Sequence, residues 1–127
     1  MKVFLKILIL VVSITVLSAW TFRLEMETIY RGADASNMIE EFQAYGLSKT
    51  TMIVVGIFKV LCAILLLLGI KYEKLITPAA FVMATFMLAA IYFHVSINDP
   101  FIPTLPSSLM LLSCIAIIFL DKKVNTA

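Results

Sequence analysis

Four long apolar runs, separated by polar segments, dominate the pattern of the chain. A run of about 20 apolar residues at 1.5 Å rise per residue matches the hydrocarbon core of a bilayer. The runs do not alternate as barrel strands do, and a lone segment in lipid can pair its backbone groups only as a helix. The pattern therefore predicts an all-α integral membrane four-helix bundle. We expect one membrane domain, residues 1–127, with spans at about 3–23, 50–70, 76–97 and 105–121.

The first run also has the basic start and apolar core of a signal peptide. Its only cleavage-like site, Leu17-Ser18-Ala19, has a large residue where a small one is preferred. We therefore expect the segment to stay attached as the first span. Trp20 and Phe22, at its far end, fit the aromatic belt of a membrane interface.

The one long polar segment lies between the first and second runs. Ser36 or Asn37 can cap a helix start, and Glu40 follows Asn37 at capping-box spacing. Gly46 is a natural stop. Three apolar or aromatic residues share one helical face: Met38, Phe42 and Tyr45. The segment predicts a short amphipathic outer helix at about 36–45, lying on the membrane surface or over the mouth of the bundle; an ordinary capped loop helix is equally well supported.

Three prolines precede the last run: Pro100, Pro103 and Pro106. Proline removes a backbone donor and clashes with the preceding turn inside a helix. We therefore expect a stiff loop over residues 98–106 and a last span that begins near Thr104.

Composition supports a membrane protein. The chain is 62% hydrophobic and 14% charged, with a mean hydropathy of +1.07, whereas soluble domains carry about 25% charged residues. A small soluble domain could not bury so much apolar surface, so the lipid bilayer is the expected partner. A net charge of +2 gives no reason to expect nucleic acid. Cys62 and Cys114 form no CxxC pair, and we expect both to be buried apolar residues.

The basic residues are distributed unevenly over the two predicted membrane faces. With four spans, one face carries six lysines: Lys2, Lys6, Lys71, Lys74, Lys122 and Lys123. The other face has Arg23, Arg31 and Lys49 among acidic residues. The positive-inside rule then predicts that both termini are cytoplasmic.

Lys59 interrupts the second run, at a depth where a charge costs at least ~2.5 kcal/mol. It shares a helix face with Gly56 and Ala63, which favours an inward side chain against a close-packed neighbour. Its expected partners are the outer acids Glu25, Glu27 and Asp99. The alternative is a lipid-facing lysine whose ammonium snorkels to the interface.

His94, the only histidine, ends a face of the third run that also holds Met83, Met87 and Ala90. Asn98 and Asp99 follow it directly. The group could bind a polar ligand or transfer a proton, or His94 could be a hydrogen-bonded structural residue. No second histidine or cysteine lies at ligand spacing, so no metal site is expected. Together, Lys59, His94, Asn98, Asp99 and Glu25 are predicted to border one outward-facing polar cavity.

Four residue groups carry a resemblance to a known family. They are Phe42-x-x-x-Gly46-Leu47-Ser48, Gly56-x-x-Lys59-x-x-x-Ala63-x-x-Leu66-Leu67-Leu68, Met87-x-x-Ala90-x-x-x-His94 and Asn98-Asp99-Pro100. Over roughly residues 42–120 the chain resembles the DoxX-like family of small four-helix membrane proteins, in which a glutamate often stands at the Lys59 position. The resemblance implies a multi-pass protein of the bacterial inner membrane. It also implies a link to thiosulfate or quinone redox complexes and oxidative-stress assemblies.

These observations leave three functions open. The first is a non-catalytic accessory or binding subunit that holds a lipid-soluble ligand such as a quinone, or docks a redox partner protein. The second is a small proton-coupled transporter, working as a homo-oligomer, that uses Lys59 and His94. The third is a membrane oxidoreductase, but a thiol mechanism would need the missing CxxC pair. No catalytic motif is visible, and the sequence requires no cofactor.

Overall fold

The computed structural model describes residues 2–21, 23–24 and 35–125, and it is helical over most of that length. A 3₁₀ turn, Glu73–Leu75, leads directly into the fourth helix. The helices of the described residues are α1 Lys2–Ala19, α2 Met38–Ala44, α3 Lys49–Gly69, α4 Ile76–Ser96 and α5 Phe101–Asn125. Four of these, all but α2, are long and apolar enough to cross a membrane. The predicted four-helix bundle with a short helix between the first two spans is confirmed.

Capping residues fix both ends of α2. The Asn37 side chain accepts a hydrogen bond from the Glu40 N–H at 2.9 Å, as the capping-box spacing predicts. At the other end Gly46 adopts a φ of 79°, which glycine tolerates best. The Leu47 N–H then bonds to the Phe42 carbonyl, and the Gly46 N–H to that of Gln43. This double closure is the Schellman motif, and it turns the chain sharply into α3.

The start of α5 differs from the prediction. The helix begins at Phe101, so the expected stiff loop over residues 98–106 is wrong and only the stretch up to Pro100 is non-helical. Pro103 lies in the first turn, where backbone N–H groups have no partner inside the helix, so its missing donor costs nothing there. Only Pro106 lies inside the helix. The first span also differs, since α1 ends at Ala19.

The bundle core is apolar and runs between α1, α3, α4 and α5. Its largest fully buried side chains include Ile9, Leu66, Met83 and Ile117. Large apolar side chains also cover the outside of the same helices, among them Phe58, Phe81 and Phe119. A soluble protein rarely exposes so much contiguous apolar surface, whereas lipid solvates it. The chain is a multi-pass membrane protein with an apolar core and an apolar, lipid-facing exterior.

Two ends of the bundle can be distinguished. At one end, here called the Lys71 end, α1 begins, α3 ends, α4 begins and α5 ends; a small cavity there is lined by Lys2, Gly69, Ile76 and Asn125 together. The opposite end, called the His94 end, carries α2, which packs on α3. The interface between α4 and α5 is the most extensive one. At the Lys71 end the Thr77 hydroxyl donates to buried Asp121 at 2.6 Å and so ties α4 to α5.

Candidate functional site

A cavity of about 300 Å³ opens at the His94 end, between the four long helices and beneath α2. This volume falls within the range of small-molecule sites in proteins. Most of the lining is apolar or aromatic, including Trp20, Phe42, Phe86, Met87, Phe93 and Met110. Three charged groups, Arg23, Glu41 and Lys59, also line it, together with His94. The cavity therefore offers a large apolar surface and a few polar groups, which is the usual character of a ligand site.

His94 is the centre of the polar cluster. Its ring is buried, and Nδ1 lies 2.7 Å from Asp99 Oδ2. The Tyr45 hydroxyl oxygen lies 3.1 Å from Nε2 and 3.2 Å from Nδ1, and Nε2 lies 3.8 Å from Glu41 Oε1. Tyr45 Oη is in turn 2.9 Å from Glu41 Oε1. The side chains form a chain of contacts, Glu41–Tyr45–His94–Asp99, that joins α2 to the end of α4.

The donor and acceptor inventory of this cluster allows two proton arrangements. A carboxylate can only accept hydrogen bonds, so in both arrangements Asp99 accepts one from the N–H at His94 Nδ1. With a neutral ring, Nε2 accepts the Tyr45 hydroxyl proton. With a second proton on the ring, Nε2 donates to the Tyr45 oxygen, whose own proton then goes to Glu41. The two arrangements therefore differ in the direction in which the Tyr45 hydroxyl group points.

Lys59 reaches the cavity from α3. Its ammonium lies 5.7 Å from the centroid of the Trp20 ring, which is cation–π distance. Glu41 lines the same cavity, and the described residues show no hydrogen bond between it and Lys59. Side chains on a helix lean toward its N-terminus, so the Lys59 stem points toward the His94 end. The lysine is neither on the lipid face nor paired with an acid in the described part of the chain.

Gly56 creates the space for Trp20. A Cβ atom at Gly56 would lie 2.5 Å from Cε3 of the Trp20 indole, closer than any real contact. Trp20 also meets Phe42 of α2 edge to face, with ring centroids 5.9 Å apart. The indole thus connects α1, α2 and α3 at the cavity wall, and the Lys59 ammonium lies over the same ring.

Arg23 is held by α1 itself. Its Nε donates to Ser18 Oγ at 2.9 Å and its Nη2 to the Thr15 carbonyl oxygen at 2.7 Å. These bonds satisfy backbone and hydroxyl groups near the end of the helix, where carbonyl groups lack intrahelical partners. Arg23 therefore lines the cavity while its guanidinium donates hydrogen bonds to Ser18 and Thr15.

The structure brings most of the residues predicted from sequence together. Lys59 and His94 line the same cavity, and Asp99 binds His94 rather than Lys59. Asn98 is exposed and adopts a φ of 57°, so it serves the turn after α4. Glu25 and Glu27 lie outside the described residues.

Sequence reasoning missed Glu41, Tyr45 and Trp20 as site residues. A signal for the first two was present, because Glu41 and Tyr45 are four positions apart and share a helix face. The sequence alone does not show that this face lies over His94, because that depends on the geometry of the turn between α2 and α3. That Trp20 packs against Gly56 of α3 could not be predicted from one sequence, because the sequence does not show which residues of neighbouring helices come into contact.

Metal-binding groups and disulfides were also sought in residues 2–21, 23–24 and 35–125. No group of three histidine, cysteine, aspartate or glutamate side chains there could hold a metal ion. Both cysteines, Cys62 and Cys114, are free and buried in the core.

Comparison with known proteins gives one family. The model of the DoxX-like family matches residues 22–118, which include α2, α3, α4 and most of α5. No curated protein and no solved structure matches the chain. The matched range covers well over half of the sequence and contains all the cavity residues except Thr15, Val16, Ala19 and Trp20. The chain therefore belongs to the DoxX-like family.

Proposed function

We propose that this protein is a non-catalytic accessory or binding subunit that holds a lipid-soluble ligand, with a quinone as the first candidate, for a redox-linked process. The observation that carries the proposal is the cavity at the His94 end, which combines a mainly apolar lining with Lys59 and His94. A lipid-soluble molecule with a polar head group fits this cavity, because its apolar body can contact the apolar lining and its head group can contact Lys59 and His94. A redox partner protein would carry out the electron transfer.

The polar groups would orient the ligand. The His94 cluster and the Lys59 ammonium provide hydrogen-bonding positions inside an otherwise apolar volume, and such groups set orientation and specificity in small-molecule sites. The aromatic walls provide broad contact faces for a flat ring, since aromatic pairs favour stacked or edge-to-face packing.

Filling the cavity is expected to remove the ligand. Ala90 lines the cavity, so Ala90→Phe places a ring where the ligand would lie. We expect the purified variant to lose at least about nine-tenths of any small molecule that copurifies with the wild type. Organic extraction followed by mass spectrometry measures the loss.

A matched control lies on the same helix. Leu88 is 56% exposed on the outer surface, and Leu88→Phe adds a ring there without touching the cavity. This variant should retain the copurifying molecule. Equal retention by both variants, with both folded, would reject the cavity as the binding site.

We further propose that the protein lies in a bacterial inner membrane with both termini in the cytoplasm. Support comes from the Lys71 end of the bundle, where Lys2 and Lys6 border the same small cavity as residues Ile70 and Asn125. With Lys71, Lys74, Lys122 and Lys123, this end collects the positive charge that the positive-inside rule assigns to the cytoplasm.

Reporter fusions test that orientation. A fusion after Lys123 should give a cytoplasmic signal, and a fusion near Asn37 should give a signal from the opposite side. A cytoplasmic signal at Asn37 would reverse the topology and place the His94 cavity on the cytoplasmic face.

A small proton-coupled carrier is the second candidate. The Glu41–Tyr45–His94–Asp99 chain favours it, because the chain places carboxyl, hydroxyl and imidazole groups in hydrogen-bonding contact beside a ligand cavity. Substrate-driven proton uptake into vesicles that contain the purified protein would support this function over ligand storage.

A further inference from the structure

We propose that the small cavity at the Lys71 end binds the phosphate group of an anionic lipid from the adjoining leaflet of the membrane. This cavity lies at the opposite end of the bundle from the His94 cavity. The inference depends neither on the ligand function proposed above nor on the direction in which the chain crosses the membrane.

The cavity lies at the depth of the lipid head groups. Lys2 and Lys6, which both line it, belong to the first two turns of α1. The 18 residues of α1 rise about 27 Å along the helix axis. This length is close to the ~30 Å thickness of the hydrocarbon core of a bilayer. The first residues of α1 are therefore at one boundary of that core, where the lipid phosphates lie.

Two lysine side chains offer their donors to a ligand in this cavity. Lys2 and Lys6 are both exposed and are four positions apart, which places them on the same face of α1. Among residues 2–21, 23–24 and 35–125, neither lysine has a hydrogen bond, an ion pair or a ring contact. Each ammonium group has three N–H donors and no acceptor. A phosphate group suits them, because hydrogen bonds between two charged groups are the strong ones.

The charges around the cavity favour a lipid with a net negative charge. Two lysines and one acid, Glu73, belong to the described lining, which leaves one net positive charge. The other acid at this end, Asp121, is buried and accepts hydrogen bonds from within the protein. A lipid with one net negative charge, such as phosphatidylglycerol, neutralises the lining. A zwitterionic lipid such as phosphatidylcholine does not.

The size and the apolar lining of the cavity favour a lipid phosphate over a free phosphate ion. The volume is about 80 Å³, and one water molecule takes up about 30 Å³ in the liquid, so the cavity holds one small group. The lining includes four apolar side chains: Leu5, Ile9, Ile70 and Ile76. Outside the cavity, Val3, Phe4 and Ile7 expose apolar surface on the same helix, which acyl chains can cover. A free phosphate ion gains nothing from these apolar surfaces.

Lipid titrations of the purified wild-type protein test the head group. The protein in detergent is titrated in separate series with phosphatidylglycerol, phosphatidylcholine and inorganic phosphate. Native mass spectrometry measures bound lipid, and thermal unfolding measures the stabilisation by each compound. We expect saturable binding of phosphatidylglycerol, at least about fivefold tighter than that of phosphatidylcholine, the factor expected for one lysine near an anionic lipid. Inorganic phosphate should not stabilise the protein comparably.

A double variant tests the site. Lys2→Gln combined with Lys6→Gln removes both ammonium groups of the cavity and keeps long polar side chains. It should bind phosphatidylglycerol at least about tenfold more weakly, because two lysine contributions are lost. Lys71→Gln combined with Lys74→Gln is the matched control, since it removes the same charge from the same end at exposed residues outside the described lining. The control should bind phosphatidylglycerol as the wild type does.

Every other outcome overturns the proposal. Equal losses of affinity in the two double variants would mean that the basic end attracts anionic lipid diffusely, without a site in the cavity. Equal binding of phosphatidylglycerol and phosphatidylcholine by the wild type would reject the anionic head group. Stabilisation by inorganic phosphate that matches phosphatidylglycerol would identify free phosphate as the occupant. The comparisons on the wild type need no variant, so they decide the matter even where a double variant fails to fold.

Discussion

Replacing Gly56 with alanine is expected to destabilise the bundle, although the same change stabilises most helices. Alanine has a better helix propensity than glycine by about 1 kcal/mol. Against this gain, the new Cβ would lie 2.5 Å from the Trp20 indole and force it away from α3. Overpacking of this kind costs about 1–3 kcal/mol. We expect a lower free energy of unfolding in detergent and a shift in Trp20 emission as the ring moves.

A double-mutant cycle identifies the cause. If the indole clash is responsible, Gly56→Ala should cost much less in a Trp20→Leu background, where the smaller side chain leaves room. The same loss in both backgrounds would mean that Gly56 matters for another reason. A stabilising effect of Gly56→Ala in the wild-type background would show that Trp20 does not pack on α3 as described.

Removing the Asp99 carboxylate is expected to have the second large effect. The Asp99 side chain is only 4% exposed and accepts a hydrogen bond from Nδ1 of buried His94. Asp99→Ala leaves that N–H without this acceptor, and losing a hydrogen bond to a charged group costs about 1.5–3 kcal/mol. Asp99→Asn keeps an acceptor oxygen of the same size and should lose clearly less. Unfolding free energies of the purified variants measure both effects.

An exposed acid at the opposite end serves as the comparison. Glu73 lies in the 3₁₀ turn and is exposed, so Glu73→Ala should change stability by no more than about 0.5 kcal/mol. Equal losses for Asp99→Ala and Asp99→Asn would show that negative charge, rather than the hydrogen bond to His94, is what the site requires.

Most of the bundle was predictable because bilayer thickness dictates the length of an apolar helix. The capping of α2 by Asn37 and its stop at Gly46 were equally predictable, since both depend on local backbone chemistry. The start of α5 was not, because the effect of a proline depends on its position within the first turn. Pro103 looked like a helix breaker only as long as the helix start was placed after it.

The candidate site was predictable in part, for a different reason. Lys59 and His94 stand out in sequence as ionisable groups within apolar runs, and the structure places both on one cavity. Glu41 and Tyr45 lie on a helix that looks like an ordinary surface helix in sequence. Their role emerges only from tertiary packing, which lays α2 over the end of α4 and brings Tyr45 to His94.

The hydrogen bond between Thr77 and Asp121 has a consequence for the way the cavity opens. It fastens α4 to α5 at the Lys71 end, and the short link through Ile97 and Pro100 joins the same two helices at the other end. Because this pair is joined at both ends, we expect α4 and α5 to move relative to each other less than the other helices do. On the opposite wall Trp20 and Phe42 meet edge to face with ring centroids 5.9 Å apart, so we expect any widening of the cavity to separate these two rings.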